Sequence, residues 1–269
     1  LGLLQSMAMA DNQRLRIRLA APTGKAAARL TESISEQVEQ LDVDTTVRDA
    51  IPTEVTTLHR LLGTRPDSRH FRHHADNPLH ADLVVVDEAS MIDMDMMASL
   101  LEALGPHTRL ILLGDKDQLA SVEAGAVMGD LCRHAHEGRY QQDTIDFISS
   151  TCDADISDYR ETDQQPGNAL AQQTAMLRTN WRSKDSPGIG ALARAVNEDN
   201  LPQVRKTFQQ YPDSLHRRPL SSDSQQLETL LLNGSGDHGG LRALFNAVAT
   251  PPGQRQDFDD WAAGLLRQL

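Results

Sequence analysis

Positive charge is in short supply in this sequence. Its 269 residues include 26 lysines and arginines against 38 aspartates and glutamates, a formal net charge of -12 at pH 7. A protein that grips a phosphate backbone over a broad surface draws affinity from displaced counterions and is normally basic. Any nucleic-acid contact here is therefore confined to a narrow track or shared with another subunit. Cysteine is scarcer still. Cys132 and Cys152 stand far apart without CxxC spacing, which argues against a zinc site or disulfide framework and for reduced thiols. No apolar run is long enough to span a bilayer and no signal peptide is visible, so the expectation is a soluble, cytoplasmic protein. The phosphate-loop pattern GxxxxGK followed by Ser or Thr is also missing.

What is present is core-forming material. A hydrophobic content of 39% allows one complete domain and part of another. Three short apolar runs read as buried parallel strands: residues 15–20 in "RLRIRLAAPTGK", 83–86 in "DLVVVDEAS" and 110–113 in "RLILLGDKDQ". Helical patterns follow the first two, "AAARLTESI" and then "DMDMMASLLEAL", with Met97, Leu100, Leu101 and Leu104 at helical spacing. Strand, loop and helix in repetition predict right-handed crossovers and an α/β, doubly wound parallel sheet. Ligands of such sheets sit outside the carboxyl ends of the strands, here "PTGK", "DEAS" and "GDKDQ". The first domain is expected over residues 1–134. A polar, extended connection with short helices follows over 135–174, and a partial second domain over 175–269. That last part opens with the strand-like "AMLRTNWRS" and a helix started by Ser186 and Pro187.

The chemistry gathers at the strand ends. "LVVVDEAS" delivers Asp87 and Glu88 side by side, the pattern of a Walker-B element: the Asp holds Mg²⁺ and the Glu polarises an attacking water. A strand ending in an acidic turn and helix cap would look the same. One unit later, in "LILLGDKDQL", Gly114 permits close backbone approach and Asp115 extends the acidic cluster. Gln118 there offers an amide that can sense a phosphate or orient water. "AAPTGKAAARL" is not a Walker-A loop, because Leu19 stands where its first Gly belongs and Ala26 follows Lys25. It offers instead a strand-end loop and a helix N-terminus suited to one phosphate of a nucleic-acid strand, or simply a Thr23 helix cap. The apolar pattern Leu1, Leu3, Leu4, Met7 reads as the tail of a helix, so a phosphate loop is expected just upstream of Leu1.

With these residues in place, a resemblance can be stated. "APTGKAAARL", "TLHRLLG", "VVVDEASMID" and "LLGDKDQLASVEAGAVMGDLC" are similar, in this order, to motifs Ia, Ib, II and III of superfamily-1 DNA helicases. "ASVEAGAVMGDLC", followed by "NWRSKDSPGIGALARAVN", resembles the RecD family in particular. The likeness covers residues 16–131 and 177–200. It implies a RecA-like P-loop NTPase core that uses ATP and Mg²⁺ and acts as the 5′-to-3′ motor subunit of exodeoxyribonuclease V. The partners it implies are single-stranded DNA and the RecB and RecC subunits, at double-strand breaks awaiting recombinational repair. In that frame Asp87 holds the metal, Glu88 activates water, and Asp115 and Gln118 face the nucleotide. Arg182, in "NWRS", reaches the γ-phosphate from the second domain. Thr23, Gly24, Lys25, Thr57 and His59 line the DNA track. The chain departs from the family in lacking motif I and anything like motifs V and VI. A stand-alone RecD-like helicase and a catalytically inactive interaction module with the helicase fold are the alternatives.

Overall fold

In the computed structural model the three apolar runs pair as parallel strands, joined by a fourth that periodicity does not announce. Residues 1–65, 68, 70–118, 127–178, 186–215, 229, 231–235, 238–239 and 241–249 are described. They fall into two units, Leu1–Thr179 and Asn180–Leu269.

The first unit is built on β1 (Ile17–Ala21), β2 (Val55–Thr57), β3 (Leu83–Val86) and β4 (Arg109–Leu112), in the spatial order β2-β1-β3-β4. All three pairings are parallel, with Leu19 opposite both Val55 and Val85, and Val85 opposite Ile111. Because successive side chains of a strand point to opposite faces, β3 feeds two cores at once. Val84 and Val86 pack with Leu58, Leu62, Met97 and Leu100, which come from α4 (Leu58–Leu62) and α5 (Met94–Glu102). Leu83 and Val85 pack with Ala27, and with Leu4, Leu30 and Ile34 from α1 (Gly2–Ala10) and α2 (Gly24–Glu39). Helices thus cover both faces, with the short α3 (Thr45–Arg48) and α6 (Val127–Leu131) besides, the doubly wound arrangement expected from the motif spacing. Leu58, Leu62 and Leu100 are fully buried, and each such side chain contributes about 1.5–3 kcal/mol of hydrophobic stabilisation.

Two expectations change in detail. β4 does not read as a buried strand: it lies at the edge of the described sheet, and Arg109 and Ile111 are exposed while Leu110 and Leu112 are half-buried. On α5, Met97 and Leu100 face the core, whereas Leu101 is 53% exposed.

The polar stretch after residue 134 is folded more closely than its composition suggests. It carries the helix α7 (Gln142–Cys152) and is held by side-chain hydrogen bonds, most of them to backbone. The Gln172 side-chain Oε1 accepts from Gln141 N and Thr144 Oγ1, while its Nε2 donates to Arg139 O. Tyr140 donates its hydroxyl to Thr174 O at 2.7 Å. Residues 175–178 form no strand. Arg178 instead lies 3.8 Å over the Tyr159 ring and donates to His136 O at 2.8 Å.

The second unit contains α8 (Pro187–Asn197), α9 (Leu201–Gln210) and, further along, α10 (Leu241–Ala249), the last preceded by a short antiparallel pairing of Gly234–Ser235 with His238–Gly239. α8 opens with Pro187 after Ser186, as the sequence predicts. Gly188 of α8 lies against the segment just after α9, where a Cβ would sit 2.8 Å from Tyr211 Cβ.

Candidate functional site

Strand ends decide where the candidate residues lie. β3 runs straight into Asp87, whose N–H donates to Ala20 O of β1 at 3.0 Å. The ladder then crosses to β4: Leu113 N donates to Val86 O and Ala89 N to Leu113 O, both at 2.8 Å. Between these bonds Glu88 adopts a left-handed backbone, φ 53 and ψ 37, and opens a 3₁₀ turn over Ala89–Met91. A non-glycine residue in that region costs about 1 kcal/mol or more, and such strain collects at sites where a side chain must be aimed. Asp87 and Glu88 are both half-buried.

Gly114 makes the approach of β4 to this turn possible. A Cβ on it would lie 3.0 Å from Ser90 N and 3.1 Å from Ala89 N. Beyond it the chain turns on Asp115, whose Oδ1 accepts from Asp117 N and whose carbonyl accepts from Gln118 N. Lys116 pairs with Asp117. The exposed Gln118 then comes back to motif II, with its Oε1 3.4 Å from the Ser90 hydroxyl. Asp87, Glu88, Asp115 and Gln118 therefore belong to adjoining loops on one sheet edge. Sequence reasoning missed Ser90, which is 6% exposed; its only signal was the polar residue in "DEAS" next to the two acids.

On the other half of the edge, Thr23 caps α2 by accepting from Ala26 N at 3.2 Å, and Thr57 caps α4 by accepting from Arg60 N at the same distance. Register puts the two loops side by side, since Ala21 pairs with Thr57. Gly24 and Lys25 are exposed, and a Cβ on Gly24 would meet nothing within 4 Å. Neither packing nor a turn demands that glycine, which leaves the backbone there open to close approach by a ligand. His59 is exposed and sits edge-on to Phe71, centroids 5.8 Å apart. Arg182 lies outside the described residues.

No group of three or more His, Cys, Asp or Glu side chains among the described residues makes a complete metal cage. Two adjacent half-buried carboxylates suit an ion that keeps waters and takes its remaining ligands from substrate phosphates, the habit of Mg²⁺ in nucleotide sites. The residues present therefore fit a magnesium nucleotide better than a dedicated protein-bound metal. Among the described residues no helix is long and apolar enough to cross a membrane.

Comparison with known proteins agrees with this geometry. A family model described as an AAA domain matches residues 2–124. The RecBCD enzyme subunit RecD of Mycolicibacterium smegmatis is 57% identical over 231 residues, 83% of this chain and 38% of that protein. The chain is RecD-like. RecD of Haemophilus influenzae is 37% identical over 222 residues, 81% of this chain and 34% of its own length. The ATP-dependent RecD2 DNA helicase of Deinococcus radiodurans matches over a shorter stretch, 43% identical over 117 residues, 44% of this chain and 14% of that protein. The chain thus spans little more than a third of the length of these two RecD proteins.

Proposed function

We propose that this RecD-like chain supplies the hydrolytic and DNA-gripping edge of an ATP-driven 5′-to-3′ DNA helicase motor. The motor works in the cytoplasm beside RecB- and RecC-type subunits and opens DNA at double-strand breaks for recombinational repair. One observation carries the reading: motif II and motif III meet on a single sheet edge, Asp87 and Glu88 on one loop and Gln118 on the next, bridged through Ser90.

In this reading Asp87 would hold Mg²⁺, whose charge would offset that of the nucleotide phosphates. Glu88, aimed by its left-handed backbone, takes a proton from the attacking water. Gln118 presents its amide to the terminal phosphate, and Arg182, outside the described residues, is assigned to neutralise the same group. The paired helix starts at Thr23 and Thr57, with Lys25, hold the DNA backbone through N–H groups and one positive charge. This confines the contact to a narrow track and reconciles it with the net charge of -12.

Glu88→Gln in the complete polypeptide tests the proposal. Turnover should collapse while ATP affinity stays near wild type, because shape is kept and only the base is lost. Collapse of affinity with turnover would make Glu88 a structural or metal-holding residue. An unchanged rate would favour an interaction module that keeps the helicase fold.

A further inference from the structure

We propose that Ser90 is a positioning residue that fixes which end of the Gln118 amide faces the nucleotide. The inference rests on the reading of Gln118 as the group presented to the terminal phosphate. An amide side chain has two chemically opposite ends, an acceptor oxygen and a nitrogen with two donors. A phosphate oxygen can only accept, so Gln118 is useful there only when its Nε2 points outward. Gln118 is itself exposed and lies in a turn, and among the described residues of its loop none hydrogen-bonds its side chain to set one orientation. In this structure the Ser90 hydroxyl lies 3.4 Å from Oε1 and donates to it. Engaging the oxygen turns the nitrogen away from the protein and towards the open edge.

Ser90 can do this because it is itself held still. It is 6% exposed and sits in the 3₁₀ turn that follows Glu88. That turn is tied to β4 through Ala89 N and Leu113 O at 2.8 Å. Gly114 packs against its backbone so closely that a Cβ would stand 3.0 Å from Ser90 N. The donor's position is therefore set by main-chain geometry shared between motifs II and III, while the acceptor swings on a flexible side chain. A contact as long as 3.4 Å biases the amide without locking it, which leaves Gln118 free to move onto a ligand. Ser90 touches no reacting atom in this scheme and acts only through Gln118.

A double-mutant cycle in the complete polypeptide tests it, with Ser90→Ala, Gln118→Ala and the pair compared by DNA-stimulated ATP hydrolysis. Thermal unfolding of each variant checks that the fold survives. Loss of one orienting hydrogen bond should lower kcat about threefold to tenfold in Ser90→Ala with KM for ATP unchanged. The double variant should be no slower than Gln118→Ala alone, because the serine has nothing left to orient. Ser90→Cys, a weaker donor in the same space, should fall between wild type and Ser90→Ala. If the Ser90→Ala loss added in full to that of Gln118→Ala, Ser90 would be acting through the fold and the proposal would be overturned. A wild-type rate in Ser90→Ala alongside a slow Gln118→Ala would also overturn it, leaving the role of Gln118 intact. A wild-type rate in Gln118→Ala would overturn both.

Discussion

The carboxyl edge of the sheet has two halves, and they are made in different ways. At β3 and β4 the side chains are acidic or amide groups, one backbone is strained, and main-chain bonds cross between the loops. At β1 and β2 the side chains are threonine hydroxyls that cap two helices, in backbone of ordinary extended conformation. The first half concentrates negative charge and aims it, as a metal and an activated water require. The second offers hydroxyls, N–H groups and Lys25, as a phosphate backbone requires. The two halves thus carry different chemistry on one edge of one sheet, a difference that a single net charge averages away.

The sharpest way to break the comparison is to remove the base. Glu88→Gln should lower kcat by about two to four orders of magnitude, the usual worth of a general base. DNA affinity should be unaffected, as filter binding or anisotropy with single-stranded DNA would show. Parallel loss of DNA binding would mean that the two halves do not act separately. Residues 1–269 as a purified piece should hydrolyse ATP negligibly, since no GxxxxGK followed by Ser or Thr is among them. Robust DNA-stimulated turnover from that piece would break the assignment.

Next in size is Gly114→Ala. The added methyl meets the backbone of Ala89 and Ser90 at 3.1 and 3.0 Å, so the motif II turn must shift. A destabilisation of about 1–3 kcal/mol is expected. It should appear in thermal unfolding and be accompanied by slower ATP turnover, with Thr23 and Thr57 chemistry untouched. A variant as stable and active as wild type would show that the close approach is incidental.

How much of this could be read from the chain depends on where the information resides. β3 was legible because four consecutive apolar residues buried on both faces leave an unbroken run, "LVVV", before the acids. β2 was not legible, since "VTT" is three residues between a proline-containing turn and a helix. Its place is set by contacts no pattern reveals: Thr31 Oγ1 of α2 accepts from Val55 N at 3.1 Å. The half-exposed state of β4 depends on its being at the edge of the described sheet, which "RLIL" does not encode. The order of residues 135–174 rests on individual side chains such as Gln172 and Tyr140, in a stretch whose composition alone reads as loose. Of the candidate site, the gathering of Asp87, Glu88 and Gln118 at neighbouring strand ends was legible from the motif spacing. Ser90 was not, because its importance lies in the direction its side chain takes.

The β1 and β2 half can be sharpened by smaller changes. Thr23→Ala and Thr57→Ala should each cost about 1 kcal/mol of stability as a helix loses its cap. Lys25→Ala should weaken DNA binding and flatten the dependence of log K on log salt by about one unit, as expected for one lost phosphate contact. None of the three should alter ATP turnover measured without DNA. An equal fall in DNA-free and DNA-stimulated rates would erase the distinction between the halves.

The smallest effect is expected at the opposite edge of the sheet, which serves as the control for both halves. There Arg16 and Asp82, just before β1 and β3, form a two-pronged pair, Nη2 to Oδ1 at 2.7 Å and Nε to Oδ2 at 3.0 Å. Arg16 N also donates to Asp82 Oδ2 at 2.7 Å. The Arg16 side-chain hydrogen bond, with the backbone bond beside it, holds the Asp82 carboxyl at about 2, below its usual 3.8. A carboxylate whose folded-state value is depressed adds stability above its unfolded value and loses it as the pH falls through the folded one. The contribution of Asp82 should therefore be complete above about pH 4 and fade towards pH 2. The pair is partly solvent-exposed, with side-chain exposures of 59% and 33%, so the gain is small and weakens with salt. Urea midpoints of wild type and Asp82→Asn should differ modestly near neutrality and converge as the pH drops through that window. Neither DNA affinity nor ATP turnover at neutral pH should change in Asp82→Asn. A loss of either would show that the far edge of the sheet is coupled to the site, and that the contrast between its halves is not a local one.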